Sequence, residues 1–123
     1  MSDVSYWERG YFSEKWAKCN LLLWHGTITL FSVSNIFGVQ KRTDIKQLLC
    51  DNISEVVLDD LVRESDHRPT PKDREGMFCL FIYFRNDNGA PARAECLGTP
   101  SKERTQVIYN DICVFLAKDK SAS

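Results

Sequence analysis

Two histidines and five cysteines are the residues of this chain whose chemistry could support catalysis. A cysteine beside a histidine can act as a thiolate nucleophile, which requires a nearby base and a lowered thiol pKa. His25 and His67 both fall in turn or loop signals, and no nucleophile elbow, phosphate-binding loop or metal-ligand spacing accompanies them. The sequence therefore predicts a noncatalytic protein without a cofactor. A thiol-dependent enzyme is the less favoured alternative.

The spacing of the cysteines indicates reduced thiols. Zinc sites and small disulfide frameworks use closely spaced cysteines, and disulfide frameworks use an even number of them. Here the number is odd and the cysteines lie far apart, at Cys19, Cys50, Cys79, Cys96 and Cys113. We expect free thiols in or near the core, and no metal site.

Composition and charge limit the class of protein. The 123 residues, 43% of them hydrophobic and 27% charged, match one globular domain with a single core. Sixteen basic and 17 acidic residues give a net charge of -1, so no overall basic field exists to hold nucleic acid. No apolar run reaches the roughly 18 residues of a membrane span, and the start lacks a signal-peptide core. We expect a cytoplasmic or nuclear protein, at most peripheral at membranes or cytoskeletal structures.

The clearest structural signal in the sequence is a β-hairpin over residues 16–31, an element that could position the reactive side chains. Two apolar runs flank a His-Gly pair, and glycine accepts the positive φ of a tight turn. In the second arm Ile28 and Leu30 alternate with two threonines and Phe31, which is the period of a half-buried strand. The rest of the sheet should be organised around this hairpin.

Other strand signals occur on both sides of the hairpin. Residues 2–10 fit an edge strand or a short helical lead-in, and residues 10–12 would open the first strand. Residues 32–44 mix a strand end with a polar loop, and residues 45–58 fit two short strands or one strand and a turn. Residues 77–84 form a continuous apolar and aromatic run, typical of a central strand covered on both faces.

An alternating strand and a helix complete the chain. After an Asn-Gly turn signal, Arg93 and Glu95 alternate with small residues and would share one face of a strand. Thr99 and Pro100 are typical of a helix start. Residues 118–123 would be a frayed tail. The helix should pack on the sheet through an apolar stripe formed by Ile108, Ile112, Phe115 and Leu116.

This order of elements resembles the pleckstrin homology (PH) domain. The hairpin begins at Trp16 where the family has a Trp-Lys-Lys-Arg-like strand, and residues 10–12 are similar to the Gly-Tyr-Leu that opens the family's first strand. The resemblance implies a mainly β fold, a seven-stranded antiparallel bent sandwich or open barrel capped by a C-terminal α-helix.

We expect one PH-like domain over residues 1–123, with its core at about residues 10–117, and the prolines and charges of residues 63–76 predict a flexible loop. The helix departs from the family pattern, since the family usually has a buried tryptophan there. Phosphotyrosine-binding and GRAM relatives therefore stay open as alternatives to the PH domain itself. The residues in that region of the helix are Val107, Ile108 and Tyr109.

Four basic residues correspond to the place where PH domains hold phosphoinositides. Lys15 and Lys18 are near the family's phosphate-binding positions, and Lys41 and Arg42 could add charge at the same end of the barrel. The family's basic-x-Arg triplet lacks its arginine here, and the loop before Trp16 is short. Phosphoinositide-dependent membrane targeting is thus an alternative function, while ordinary solvated charges are the favoured interpretation of these residues.

The favoured function is that of a scaffold or adaptor domain that binds a protein partner and makes at most weak contact with anionic phospholipid. PH-like folds accept peptides at exposed strand edges and in the groove beside the C-terminal helix. Trp24 adjoins the His-Gly turn and could anchor an interface, as could Tyr6, Trp7 or the loop at residues 63–76. Self-association through an edge strand is a further expectation.

Overall fold

A computed structural model describes residues 2–9, 14–58, 76–85 and 94–121 of the chain. In this part of the chain seven strands precede one helix. The strands are β1 (Ser2–Arg9), β2 (Glu14–Trp24), β3 (Thr27–Ile36), β4 (Val39–Leu49), β5 (Ile53–Leu58), β6 (Phe78–Phe84) and β7 (Ala94–Thr99), and the helix is α1 (Lys102–Ser121).

The strands form one antiparallel sheet in the order β4-β3-β2-β1-β7-β6-β5. The chain therefore starts in the middle of the sheet, because β1 pairs with β2 on one side and with β7 on the other. The two outer strands are β4 and β5. This confirms the predicted fold class, a mainly β protein with seven antiparallel strands and a C-terminal helix.

The sheet is strongly bent. Three strands separate β4 from β7, which in a flat sheet would place them about 19 Å apart. Nevertheless, the Lys46 ammonium on β4 lies 3.6 Å from the Glu95 carboxylate on β7. Two side chains cannot span that distance across a flat sheet, so the inner faces of β4 and β7 must approach one another.

The main core lies on the face of the sheet that α1 covers. Ile108 and Ile112 of α1 are fully buried in it, and Phe115 and Leu116 pack beside them, which confirms the predicted helical stripe. The strands contribute the remaining buried side chains of this core, namely Val4, Tyr6, Cys19, Leu21, Ile28, Leu30, Leu48, Ile53, Leu80, Ile82 and Leu97.

A second apolar cluster occupies the opposite face of β6 and its neighbours. Side chains alternate along a strand, so Leu80 and Ile82 point into the main core while Phe81 and Tyr83 point into the second cluster. This double burial explains the continuous apolar run of β6 and confirms the predicted central strand. The buried members of the second cluster are Trp7, Val57, Cys79, Phe81, Tyr83, Ala94 and Cys96.

Two tight turns organise the first half of the sheet. His25 and Gly26, with φ of 48° and 70°, form the predicted turn between β2 and β3. Phe37 and Gly38, with φ of 53° and 79°, form a second turn of the same kind between β3 and β4. The expected strand end within residues 32–44 agrees with the structure, because β3 ends at Ile36, but the expected polar loop was wrong, because residues 39–44 belong to β4.

The N-terminal residues also differ from expectation. Ser2–Arg9 is a central strand, neither an edge strand nor a helical lead-in, and it buries Val4, Tyr6 and Trp7. The core therefore begins before residue 10. Residues 10–13, which include the predicted opening of the first strand, lie outside the described residues.

Several other predictions fall partly or wholly outside the described residues. This holds for the Asn-Gly turn and for the loop at residues 63–76, except Gly76, which lies in a turn. The turn expected near residues 51–52 is a short 3-10 helix, Cys50–Asn52, between β4 and β5. Residues 45–58, which were expected to form two short strands or one strand and a turn, thus contain the end of β4, this short helix and the whole of β5.

Both ends of α1 lie beyond the predicted positions. The helix begins at Lys102, and the Ser101 hydroxyl accepts the Arg104 N–H at 3.2 Å as its N-cap. Thr99 is the last residue of β7, and its hydroxyl accepts the Ser101 N–H. The helix continues to Ser121, so most of the predicted frayed tail is helical. Among the described residues, no helix has both the length and the apolar character needed to cross a bilayer.

Candidate functional site

The outer strand β5 borders the helix. It pairs with β6 along one side, and in the part of the chain that the structure describes no strand pairs with its other side. An outer strand leaves the N–H and C=O of alternate residues without ladder partners, which makes it a template for another extended chain. Ile53 and Val57 hold β5 in place because their side chains are buried.

A groove opens between the end of β5, the start of β6 and the first turns of α1. Its volume is about 250 Å³, and most of its wall is apolar. Phe78 is 43% exposed and is one of the residues that line this space. The helix contributes a polar rim. The lining residues are Leu58, Met77, Phe78, Cys79, Lys102, Thr105 and Gln106.

Hydrogen bonds from Thr105 fix the helical wall of the groove. The Thr105 hydroxyl donates to the Phe78 carbonyl at 2.9 Å, and it lies 2.9 Å from the Thr99 hydroxyl. Because both threonines are buried, these bonds tie the first turns of α1 to the start of β6 and the end of β7. The groove is therefore a built feature of the fold, with walls held at a set separation.

The predicted surface aromatics separate into exposed and buried residues. Trp24 is 63% exposed beside the β2–β3 turn, and its ring makes an edge contact with His25. Trp7 is 2% exposed and packs against the Trp16 ring, and Tyr6 is also buried. The expectation that Trp7 and Tyr6 offer a surface for a partner was wrong, because β1 is central and both of its faces are covered.

The four predicted cations do not face a common point. Lys15 and Lys18 are three positions apart on β2, so their side chains extend from opposite faces of the sheet. Lys15 pairs with Glu8 on β1, and Lys18 pairs with Ser5. Lys41 and Arg42 are adjacent on β4, which places them on opposite faces as well. Both lie in a strand, which corrects the expected loop.

Arg42 already has partners within the protein. Its Nε donates to the Asp44 carboxylate at 2.9 Å, and its guanidinium lies 4.4 Å from the centre of the Phe31 ring. Lys18 lines a groove of about 460 Å³ together with Arg104, but the Asp3 carboxylate lies in the same groove, 3.7 Å from Arg104. Among the described residues, this arrangement therefore contains no cluster of basic side chains that lacks a neighbouring carboxylate.

Cys50 is the cysteine that lies beside the His25 turn, since its N–H donates to the Gly26 carbonyl at 2.9 Å. Burial, and then the nearby carboxylates of Asp119 and Asp51, raise the pKa of the Cys50 thiol to about 11. A nucleophilic cysteine requires the opposite shift. All five cysteines are free thiols and four of them are buried, as the spacing predicted.

A buried carboxylate was not anticipated from the sequence. Glu95 was expected on the same strand face as Arg93, with no sign of burial, yet its side chain is buried and accepts a hydrogen bond from the Tyr6 hydroxyl at 2.7 Å. β7 is covered on both faces, so alternation of polar and small residues does not mark a solvent face there.

Thr105 is a second site residue that was not predicted from the sequence. Helical periodicity could have identified it, because it is three positions before Ile108 on the buried stripe of α1.

No three His, Cys, Asp or Glu side chains among the described residues cluster closely enough to hold a metal ion. His67 lies outside the described residues. Compared with known proteins, the chain gives no match, since no protein-family model, curated protein or solved structure is significantly similar to it.

Proposed function

We propose that this protein is a noncatalytic, PH-like interaction module that binds an extended segment of a protein partner along β5, beside α1. The observation that supports the proposal is the position of an outer strand next to a preformed apolar groove, with the helix as one wall. An added strand would gain main-chain hydrogen bonds from β5, and the groove would accept one of its side chains.

The lining of the groove suggests the chemistry of the segment. Leu58, Met77 and Phe78 would contact an apolar side chain, while Lys102 at the rim favours an acidic neighbour. A volume of about 250 Å³ suits one such side chain and not a large cofactor. The raised pKa of the Cys50 thiol also favours a binding role over a thiol-dependent enzyme.

The test is selection of peptides from a random display library against the chain, followed by titration of the selected peptide into ¹⁵N-labelled protein. We expect amide shifts in β5 and the first half of α1, together with slower hydrogen exchange of the outward-facing β5 amides. Gln106→Trp should block the groove and weaken binding at least about tenfold, because it fills the space an anchor side chain needs.

The matched control is Val114→Trp, which adds the same ring to an exposed position of the same helix away from the groove. It should leave the peptide affinity unchanged. Shifts confined to another surface, or equal affinities for the two tryptophan variants, would contradict a site at β5.

A further inference from the structure

The β3–β4 hairpin extends beyond the body of the sheet. Pairing of β3 with β2 ends at Phe31, whereas its pairing with β4 continues to the turn at Phe37 and Gly38. We call residues 32–43 the β3–β4 arm. All residues from 33 to 44 are exposed. A two-stranded ribbon gains little stability by itself in water, so an exposed arm of this length gains stability if a partner covers it.

The tip of the arm is apolar. Ile36 and Val39 form its last pair and are more than half exposed, and Phe37 at the turn is fully exposed. Phe37 also has a φ of 53°, a conformation that favours Asn or Gly over a bulky residue. Neither the backbone conformation nor contact with water favours phenylalanine at this position, which suggests that the ring serves a contact outside the chain.

Basic residues follow directly behind the tip. Lys41 pairs with Ser34 and Arg42 pairs with Val33, the third and fourth pairs counted from the turn. Lys41 is therefore about 7 Å behind Val39 along the strand. The arm contains no acidic residue, and Asp44, which binds Arg42, lies just beyond it. The arm thus carries a local positive charge although the whole chain has a net charge of -1.

The apolar and basic residues are arranged along the axis of the arm and not across its faces. A ribbon that packs flat on another protein needs one continuous apolar face, but here each face is polar in its middle, with Ser34 and Lys41 on one and Asn35 and Gln40 on the other. An apolar tip followed by cations matches the profile of a bilayer, where acyl chains lie about 5–10 Å below anionic headgroups.

We propose that the β3–β4 arm inserts its tip, Ile36 to Val39, into the headgroup region of an anionic lipid bilayer, with Lys41 at the level of the headgroups. This contact is separate from the groove beside β5, so one domain would hold a membrane with its arm and a protein partner with its opposite outer strand. The recognised chemistry is negative surface charge over an apolar layer, without selection of one headgroup.

The test measures partitioning of the full chain onto phosphatidylcholine vesicles with and without about 30% phosphatidylserine. The informative variant is Phe37→Asn, since asparagine suits the positive φ at this turn and should preserve the hairpin. We expect Phe37→Asn to lower partitioning onto the anionic vesicles about tenfold or more. Lys41→Gln should lower it about fivefold and reduce its salt dependence.

Trp24→Asn is the matched control, because it removes an exposed aromatic at the end of β2, which pairs with the start of β3 and is distant from the tip of the arm. It should leave partitioning unchanged, as should the groove variant Gln106→Trp, which keeps this test independent of the function proposed above. The proposal is overturned if the native chain does not bind anionic vesicles or if Phe37→Asn binds equally well. It is also overturned if sedimentation velocity shows self-association that Phe37→Asn abolishes, which would assign the arm to a contact between copies.

Discussion

The Tyr6 hydroxyl on β1 donates a 2.7 Å hydrogen bond to the buried carboxylate of Glu95 on β7. The other carboxylate oxygen of Glu95 lies 3.6 Å from the Lys46 ammonium on β4. A buried carboxylate requires partners that replace its lost water, and here they come from strands distant in sequence. This trio therefore links the central strands to an outer strand across the bend of the sheet.

Tyr6→Phe removes the hydroxyl while keeping the ring in the core. We expect the free energy of unfolding to fall by about 1.5–3 kcal/mol, because the hydrogen bond goes to a buried carboxylate. Urea unfolding of Tyr6→Phe, Glu95→Gln and the double variant would give the coupling energy, which should be at least about 1 kcal/mol. Additive effects of the two substitutions would contradict the described hydrogen bond.

Ile112→Ala should strongly destabilise the protein, since Ile112 is fully buried between α1 and the sheet. The loss of packing and the resulting cavity should lower the free energy of unfolding by about 2–5 kcal/mol. Val114→Ala on the same helix is the control, and its exposed side chain should change stability by no more than about 0.5 kcal/mol. Thermal unfolding followed by circular dichroism would compare the stability of the two variants. Similar losses of stability in Ile112→Ala and Val114→Ala would mean that α1 packs through a different face.

The cysteines should react with thiol reagents at different rates. Burial raises the pKa of the Cys19 thiol from 9.0 to about 11, which lowers its thiolate fraction near neutral pH about 100-fold. Cys113 is partly exposed. Mass spectrometry after brief alkylation should therefore show Cys113 modified first, and Cys113→Ser should remove the fast phase. Rapid modification of Cys19 or Cys50 would indicate a reactive thiol and revive the enzyme alternative.

Stability should decrease at alkaline pH. The pKa of the Cys19 and Cys50 thiols is raised to about 11 in the folded protein, so the native state retains these protons at a pH where the unfolded chain has lost them. Their contribution is fully present below pH 9.0, the ordinary thiol pKa, and is lost as the pH rises to about 11. Urea unfolding across this range should show the decline, and Cys19→Ala should make it shallower.

Much of the fold is predictable because several elements carry a clear period. The alternation at Ile28 and Leu30, the turn at His25, the double-sided apolar run of β6 and the stripe at Ile108 and Ile112 each match one element. β4 was missed because residues 39–44 are exposed on both faces, which removes the period of two. The second turn was missed because Phe37 occupies a turn position that favours asparagine, so the sequence carries no usual turn signal there.

The candidate groove was predictable as a region and not as a set of residues. The resemblance implied a peptide site at a strand edge beside the helix, but Leu58, Phe78 and Gln106 come together only because β5 and β6 pair and α1 packs across their ends. The central position of β1 could not be inferred either, since a strand of alternating polarity gives no sign of a partner far along the chain. For that reason the burial of Trp7 and Tyr6 was unexpected.

The place of β1 in the sheet has a consequence for synthesis on the ribosome. Tyr6 and its partner Glu95 are 89 positions apart, whereas the three hairpins that join β1, β2, β3 and β4 pair neighbouring segments. These hairpins can form as the chain emerges, but one side of β1 must wait for β7. A nascent chain paused before residue 94 exposes that unpaired edge together with the apolar face that α1 covers in the folded protein, so this partly synthesised chain is prone to aggregate.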